Sequence, residues 1–170
     1  MNLIDEKLNM TQEWDKVFPQ SGKTDHRKVT FHNRYGITLA ADLYAPKDAA
    51  GKLPAIAVSG PFGAVKERSS GLYAQRMAEY GFLTLAFDPS FTGKSGGQPR
   101  YGASPDINIE DFCAAVDFLS VQDNADPARI GIIGICGWGG MAISRTGHPH
   151  QGHRSHDHVR YDPCQRQRLL

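Results

Sequence analysis

Apolar runs and turn-forming residues alternate along most of this chain and predict its secondary structure. Two β-rich runs flank the turn Asn33–Gly36, a pattern typical of a β-hairpin. The short apolar runs "LPAIAVSG", "FLTLAFD" and "DPARIGIIGI" then predict three buried strands. Such strands, alternating with helices, indicate a parallel sheet covered on both faces. The predicted fold class is therefore α/β, doubly wound and mostly parallel, with an antiparallel N-terminal hairpin.

Helical periodicity separates these strands. A first helix is predicted to begin at a cap, Ser69 or Ser70, and to end before Gly81. Its apolar positions would be Tyr73, Met77 and Tyr80. A second helix is predicted to begin at Asp106 or Asn108. Its apolar stripe would comprise Ile109, Phe112, Cys113, Val116 and Leu119.

The alternation ends near residue 143 and divides the chain into three parts. Residues 1–26 are polar and predict a loosely held N-terminal arm, and residues 27–143 carry the α/β pattern. Residues 144–170 carry few apolar side chains before the final two leucines and predict an irregular, unstructured tail. Five of the seven histidines fall in that tail: His148, His150, His153, His156 and His158.

Composition narrows the possible partners and compartment. Lys and Arg number 19 against 18 Asp and Glu, so no basic field favours nucleic acid or an anionic membrane. No apolar run approaches the roughly 18 residues of a membrane span, and the N-terminus has no signal-peptide pattern. The three cysteines, Cys113, Cys136 and Cys164, have no metal-like spacing. We expect a cytosolic protein with reduced thiols, and the oligomeric state stays open.

Cys136 stands where a catalytic nucleophile would stand. It follows a predicted buried strand, and the glycines around it in "IGIIGICGWGG" permit a sharp turn into a helix. The N-terminus of that helix favours the thiolate, and its free N–H groups can stabilise an oxyanion. Cys113, on the apolar stripe of a helix, is interpreted as a core residue.

Three segments together resemble the α/β-hydrolase superfamily, and within it the bacterial dienelactone-hydrolase-like enzymes with a cysteine nucleophile. They are "AVSGPFGAVKE", "FLTLAFDPSFTGKSGG" and "IGIIGICGWGGMA". The resemblance implies that Cys136 is the nucleophile, that the backbone N–H of Gly137 is one oxyanion donor, and that Phe62 or Gly63 supplies the other. Trp138 departs from the family pattern, which has a small residue there, so the helix is expected to meet the sheet differently. No cofactor or metal is implied, and the expected substrate is a small ester, lactone or related acyl compound.

The acid and histidine that the superfamily places after the nucleophile are not found in their expected context. His26 and His32 precede Cys136, and the five tail histidines follow it too closely. Permitted codons for residues 147 to 168, read one base later, can encode a helix end, an apolar run and a turn. The hypothesis is therefore a hydrolase whose tail arises from a frameshift near codons 143 to 146, leaving a fragment with little or no activity.

Alternative interpretations of the chain belong to other functional classes. Histidines two and three residues apart can bind Zn²⁺ or Ni²⁺, so the chain could be a pseudo-hydrolase or a metal-binding module. Cys136 could also serve redox or acyl-carrier chemistry without a triad. The sequence Gly93–Ser95 is a weak match to a phosphate-binding loop, because Asp88 stands where that motif needs its first glycine. Asp88 is expected to order its own loop by hydrogen bonds, and Lys66 and Glu67 are expected to be surface charges.

Overall fold

The computed structural model describes Leu8, Met10, Thr11 and residues 13 to 146, and for residues 143 to 146 the backbone alone. The histidine-rich part of the predicted tail, from residue 147 onward, lies outside the described residues, as does Cys164. The first seven residues of the predicted N-terminal arm also lie outside them.

Five strands and three helices follow one another in the described part of the chain. The strands are β1 (Thr24–His32), β2 (Thr38–Pro46), β3 (Leu53–Ser59), β4 (Leu83–Phe87) and β5 (Ala125–Gly134). The helices are α1 (Ser69–Glu79), α2 (Pro105–Ser120) and α3 (Gly137–Thr146). The strands form one sheet in the order β1-β2-β4-β3-β5. Strands β4, β3 and β5 run parallel, and the β1–β2 hairpin joins them antiparallel through β2 and β4.

This topology confirms the predicted α/β fold class, with its antiparallel hairpin. Successive residues of β3 point to opposite faces: Ala57 packs in the core beneath α2 and α3, and Val58 packs beneath α1. Both faces are therefore buried, which explains why the apolar runs of β3 and β4 are nearly unbroken. Because β3 and β5 are parallel neighbours, the loops that follow them meet at one end of the sheet.

The boundaries and faces of two helices differ from the predictions. Helix α1 begins at Ser69 after Arg68, and no side chain caps it, so the predicted serine cap is wrong. Tyr73 and Tyr80 are exposed. The buried face of α1 consists of Ser70, Gly71, Ala74, Gln75 and Ala78. Helix α2 begins at Pro105, directly after its N-cap residue Ser104 and slightly earlier than predicted.

The end of the N-terminal arm is packed against the sheet rather than loosely held. The Lys16 side chain is fully buried, and its ammonium lies 3.0 Å from a carboxylate oxygen of Asp42 on β2. The same carboxylate lies 2.8 Å from His26 Nε2. The Trp14 indole N–H donates to the carbonyl of Phe18 at 2.8 Å. Burial alone would raise the pKa of Asp42, but the His26 hydrogen bond and the Lys16 charge hold it below its usual value.

The two edges of the sheet differ in how they are covered. Strand β1 forms one edge and β5 forms the other, where β5 pairs only with β3 among the described strands. Several side chains of β5 are exposed or half-buried, unlike those of β4, which are all buried. No helix in the part of the chain that the structure describes is long and apolar enough to cross a membrane.

Candidate active site

Cys136 occupies a sharp turn between β5 and α3. Its φ angle is 59°, in the left-handed region that side chains with a Cβ rarely adopt, and its side chain is exposed. Strand β5 ends at Gly134 and helix α3 begins at Gly137, so two residues complete the reversal. A strained residue that projects its side chain beside a helix N-terminus is well placed to act on a ligand.

The chain backbones on either side of this turn approach closely. A Cβ at Gly134 would lie 2.2 Å from the carbonyl oxygen of Trp138 and 2.9 Å from the nitrogen of Gly139. Only glycine fits at residue 134, because such separations are far below van der Waals contact. The backbone of α3 therefore packs directly against the end of β5, even though residue 138 is not small.

The indole of Trp138 is directed away from this contact and is buried. It stacks on the ring of Phe62, with ring centroids 6.2 Å apart at 23°, and meets Phe112 of α2 edge-on at 6.0 Å. Its Nε1 atom is buried and has no acceptor within the described residues. Trp138 thus joins the loop after β3 to the start of α3.

Two backbone N–H groups near Cys136 have no protein acceptor in the described part of the chain. Phe62 lies in the loop between β3 and α1, and a Cβ built on Gly137 would lie 3.8 Å from the Cβ of Phe62. Among the hydrogen bonds within residues 13 to 146, neither the N–H of Phe62 nor that of Gly137 has an acceptor. Gly63, the other residue considered for this role, has a φ of 75°.

A buried ion pair fixes the loop that carries Phe62. Lys66 is 1% exposed, and its ammonium lies 2.9 Å from Asp88 Oδ2 and also pairs with Glu67. The backbone N–H of Lys66 donates to the other oxygen of Asp88 at 2.6 Å. Burial alone would lower the pKa of Lys66, but the two carboxylates raise it above its usual value. The expectation that Lys66 is a surface charge is therefore wrong.

The other contacts of Asp88 order the loop after β4, as expected. Its carboxylate accepts the N–H of Lys94 at 2.9 Å, and its carbonyl accepts the hydroxyl of Ser95 at 2.7 Å. A Cβ at Gly93 would lie 2.3 Å from the carboxylate. The residues of the weak phosphate-loop match thus fold around a carboxylate, which would repel a phosphate.

A second polar cluster lies under the same loop. Asp111 of α2 accepts hydrogen bonds from the Ser90 N–H and hydroxyl at 2.8 and 2.7 Å, and from Asn33 at 2.8 Å and Asn108 at 3.1 Å. Burial raises the pKa of Asp111 despite these bonds. Since Asn33 also caps the hairpin turn through the N–H groups of Tyr35 and Ile37, the cluster ties the hairpin, the loop and α2 together.

The structure does not bring a histidine to Cys136 within the described residues. His26 and His32 lie on β1, which forms the opposite edge of the sheet from β5. His26 is engaged with Asp42. In the same part of the chain, no group of three or more His, Cys, Asp or Glu side chains is arranged to hold a metal ion.

Sequence reasoning missed the residues that hold this site in shape. The burial of Lys66 depends on Asp88, which is 22 residues away and belongs to another loop, so no local pattern signals it. Sequence reasoning also missed that Gly60 makes room for the indole of Trp138, since a Cβ at residue 60 would lie 2.8 Å from its Cδ1 atom. The position of Gly60 beside the Pro61–Gly63 turn was the available signal.

Comparisons with known proteins show the family to which the chain belongs. A family model described as X-Pro dipeptidyl-peptidase (S15 family) matches residues 35–154, more than half of the chain. The uncharacterised protein PA2218 of Pseudomonas aeruginosa is 71% identical over 139 residues, which are 81% of this chain and 38% of that protein. The thiohydrolase aneE of Aspergillus aculeatus is 36% identical over 118 residues, which are 69% of this chain and 36% of that protein.

Two solved structures resemble the described fold. The crystal structure of PA2218 matches with a TM-score of 0.80 at 71% identity, over 82% of this chain and 44% of that one. The α/β hydrolase GrgF from Penicillium sp. sh18 matches with a TM-score of 0.66 at 25% identity, over 71% and 41% of the two chains. The chain spans about two fifths of the length of the curated relatives named above.

Proposed function

We propose that this chain, which belongs to the X-Pro dipeptidyl-peptidase (S15) family and to the α/β-hydrolase superfamily, supplies the nucleophile and oxyanion donors of an enzyme that cleaves ester, thioester or related acyl bonds. The observation that carries the proposal is the exposed side chain of Cys136 at φ 59°, beside two N–H groups without acceptors in the described chain. The narrower assignment to a dienelactone-hydrolase-like branch rests on the three sequence segments and is part of the proposal.

The proposed reaction proceeds through an acyl-enzyme. The Cys136 thiolate attacks the carbonyl carbon of the substrate and forms a carbon–sulfur bond, while the carbonyl oxygen gains negative charge. The N–H groups of Gly137 and Phe62 donate to that oxygen. The carbonyl then reforms as the alcohol or thiol leaves with a proton, and attack by water releases the acid and restores the cysteine.

Both steps need a base that the described residues do not supply. A histidine would take the thiol proton and later activate the water, and a carboxylate would orient it. We propose that without these groups the chain takes up an acyl group from an activated ester but turns over slowly or not at all. This proposal stays separate from the frameshift hypothesis for the tail, which DNA sequencing across codons 140 to 175 in all three frames would test.

A non-enzymatic role is the alternative. The histidines that would bind a metal lie outside the described residues, so the hypothesis rests on their spacing in the sequence. Titration of the purified chain with Zn²⁺ tests it: tight, stoichiometric binding together with an unreactive Cys136 would favour a metal-binding module over a hydrolase.

The test of the enzymatic proposal uses p-nitrophenyl acetate and intact-mass spectrometry. We expect one acetyl group per chain, placed on Cys136 by peptide mapping and absent in the Cys136→Ala variant. Cys113→Ala is the matched control and should retain the acetylation. A chain whose Cys136 acylates no faster than free N-acetylcysteine would contradict the proposal. Sustained turnover that Cys136→Ala abolishes would contradict the expected inactivity alone.

A further inference from the structure

A small cleft is lined in part by Phe62, one of the two candidate oxyanion donors. Its volume is about 220 Å³, below the range of roughly 300–1,000 Å³ typical of sites for drug-sized ligands. Phe62 forms part of its wall, so the same residue contributes a ring to the cleft and an N–H to the space near Gly137. A carbonyl held at that N–H would place one of its substituents at the cleft.

The walls of the cleft are aromatic and uncharged. Phe62 and Trp138 form a stacked pair in the lining, and Tyr101 also lines the cleft. Tyr101 is 89% exposed and Phe62 is 56% exposed, an unusual exposure for two large rings at one opening. None of the residues that line the cleft carries a charge in the part of the chain that the structure describes.

Two polar side chains in the walls, those of Ser90 and Asn108, are already paired with protein groups. The Ser90 hydroxyl donates to Asp111, and Asn108 donates to Asp111 while accepting the N–H of Ser104 at 3.1 Å. A ligand in the cleft would therefore be recognised by shape and apolar contact rather than by a strong hydrogen bond or an ion pair at these two residues.

The loop that carries Tyr101 is braced, so the cleft is preformed. The N–H of Tyr101 donates to the carbonyl of Phe91 at 2.9 Å, and the N–H of Phe91 donates to Gly96 at 2.8 Å. The guanidinium of Arg100 spans the loop, donating to the carbonyl of Gly93 at 2.7 Å and to that of Ser95. A preformed wall limits the size of the group that fits.

We infer that this cleft receives the acyl group of the substrate and selects compact, uncharged acyl groups, with a single aromatic ring as the best fit. A flat ring would lie against the Phe62–Trp138 stack, where aromatic contact adds to the burial of apolar surface. An acyl group bearing a carboxylate would lose hydration without gaining a cation from the described lining. The inference rests on the proposed function, because it assigns a substrate class to the same site.

The first experiment compares acyl groups on a constant leaving group. Rates of acylation of Cys136 by p-nitrophenyl benzoate and p-nitrophenyl acetate are divided by the rates of the same esters with N-acetylcysteine. We expect the normalised rate with benzoate to be about ten times the normalised rate with acetate. This is the order expected for partial burial of a phenyl ring. The Ala103→Phe variant, which fills the cleft, should return the ratio to about one. Ala50→Phe, on the surface elsewhere, should leave the ratio unchanged.

A binding experiment separates the inference from the proposed function. Benzamide and succinamate are titrated into the Cys136→Ala variant while the fluorescence of its tryptophans is recorded. We expect benzamide to bind and succinamate not to bind, and the added Ala103→Phe change to abolish the benzamide signal. Benzamide binding without acylation of Cys136 would overturn the proposed function but support the cleft as a site for an uncharged aromatic group. Acylation of Cys136 with a normalised benzoate-to-acetate ratio of one would overturn the inferred selectivity of the cleft but support the proposed function.

Discussion

Gly60 and Trp138 fit together because residue 60 has no side chain. A Cβ at Gly60 would lie 2.8 Å from Cδ1 of Trp138 and 2.4 Å from the carbonyl oxygen of Ile135. Gly60 also has a φ of 104°, which favours glycine on backbone grounds alone. The tryptophan that departs from the family pattern after Cys136 is thus accommodated by a glycine in the loop after β3.

In the Gly60→Ala variant, the added Cβ would clash with Trp138 and Ile135, and alanine would have to adopt a positive φ angle. We expect its free energy of unfolding to fall by about 2–4 kcal/mol, measured by urea denaturation. Gly51→Ala is the matched control, since Gly51 has a φ of 76° but no atom within 4 Å of its built Cβ. Equal losses in the two variants would mean that the contact with Trp138 contributes nothing.

Trp138 itself should tolerate a smaller aromatic ring better than a small residue. Trp138→Phe keeps the contacts with Phe62 and Phe112 and removes a buried N–H that has no acceptor in the described chain, so we expect a loss below about 1.5 kcal/mol. Trp138→Gly, which restores the family pattern, leaves a cavity and should cost about 3–5 kcal/mol. Denaturation of both variants checks the order, and a more stable glycine variant would contradict this packing.

Breaking the Lys66–Asp88 pair should destabilise the loop that carries Phe62. Asp88→Asn leaves a buried ammonium with only Glu67 as a counterion, and we expect a loss of about 3 kcal/mol. Glu67→Gln is the control and should cost less, because Glu67 is partly exposed. Hydrogen exchange should also accelerate at the Lys66 and Lys94 amides in the Asp88 variant. Unchanged exchange there would show that the carboxylate does not hold the loop.

The contribution of Asp15 to the free energy of unfolding should be lost between about pH 4 and pH 2. Burial opposes its ionisation, but hydrogen bonds from Lys16 and Lys28 lower its pKa from 3.8 to about 2. A lowered pKa in the folded state means that the stabilisation is complete above 3.8 and disappears as the pH falls through about 2. The difference in unfolding free energy between the native chain and Asp15→Asn should follow that course. A difference that stays constant over this pH range would contradict the stabilising role of the Asp15 carboxylate.

The two described cysteines should differ sharply in reactivity. Cys136 is exposed at the turn, whereas Cys113 is 7% exposed in the core on α2. We expect iodoacetamide to modify Cys136 at least about tenfold faster in the folded chain, with the difference removed in denaturant. Peptide mapping by mass spectrometry measures both rates, and equal rates in the folded chain would contradict the exposure of the turn.

Local patterns in the sequence account for the strands and for the turn at Cys136. The apolar runs of β3 and β4 and the glycines around Cys136 are signals contained within a few residues, and the fold class follows from their alternation. The candidate roles of Cys136, Gly137 and Phe62 stay predictions, although the structure brings Phe62 and Gly137 together. The cytosolic location and the irregular tail also stay predictions.

The features that sequence reasoning missed depend on contacts between distant segments. Tyr73 and Tyr80 have helical spacing, yet α1 buries its small residues instead, because it packs close to β2: a Cβ at Gly71 would lie 3.3 Å from the hydroxyl of Tyr44. Lys66 is buried because Asp88 is brought to it by the sheet. Neither partner can be identified from the neighbours of the residue in sequence.

The strand order has a consequence for the timing of reactivity during synthesis. Strand β5 can pair with β3 only after β4 and α2 have been synthesised. Phe62, in the loop after β3, therefore leaves the ribosome long before Gly137, which lies next to it in the fold. Until β5 docks, Cys136 has neither its strained turn nor a second N–H donor nearby. Under the proposed function, Cys136 therefore gains its selective reactivity only when β5, the last strand in the described part of the chain, has paired with β3.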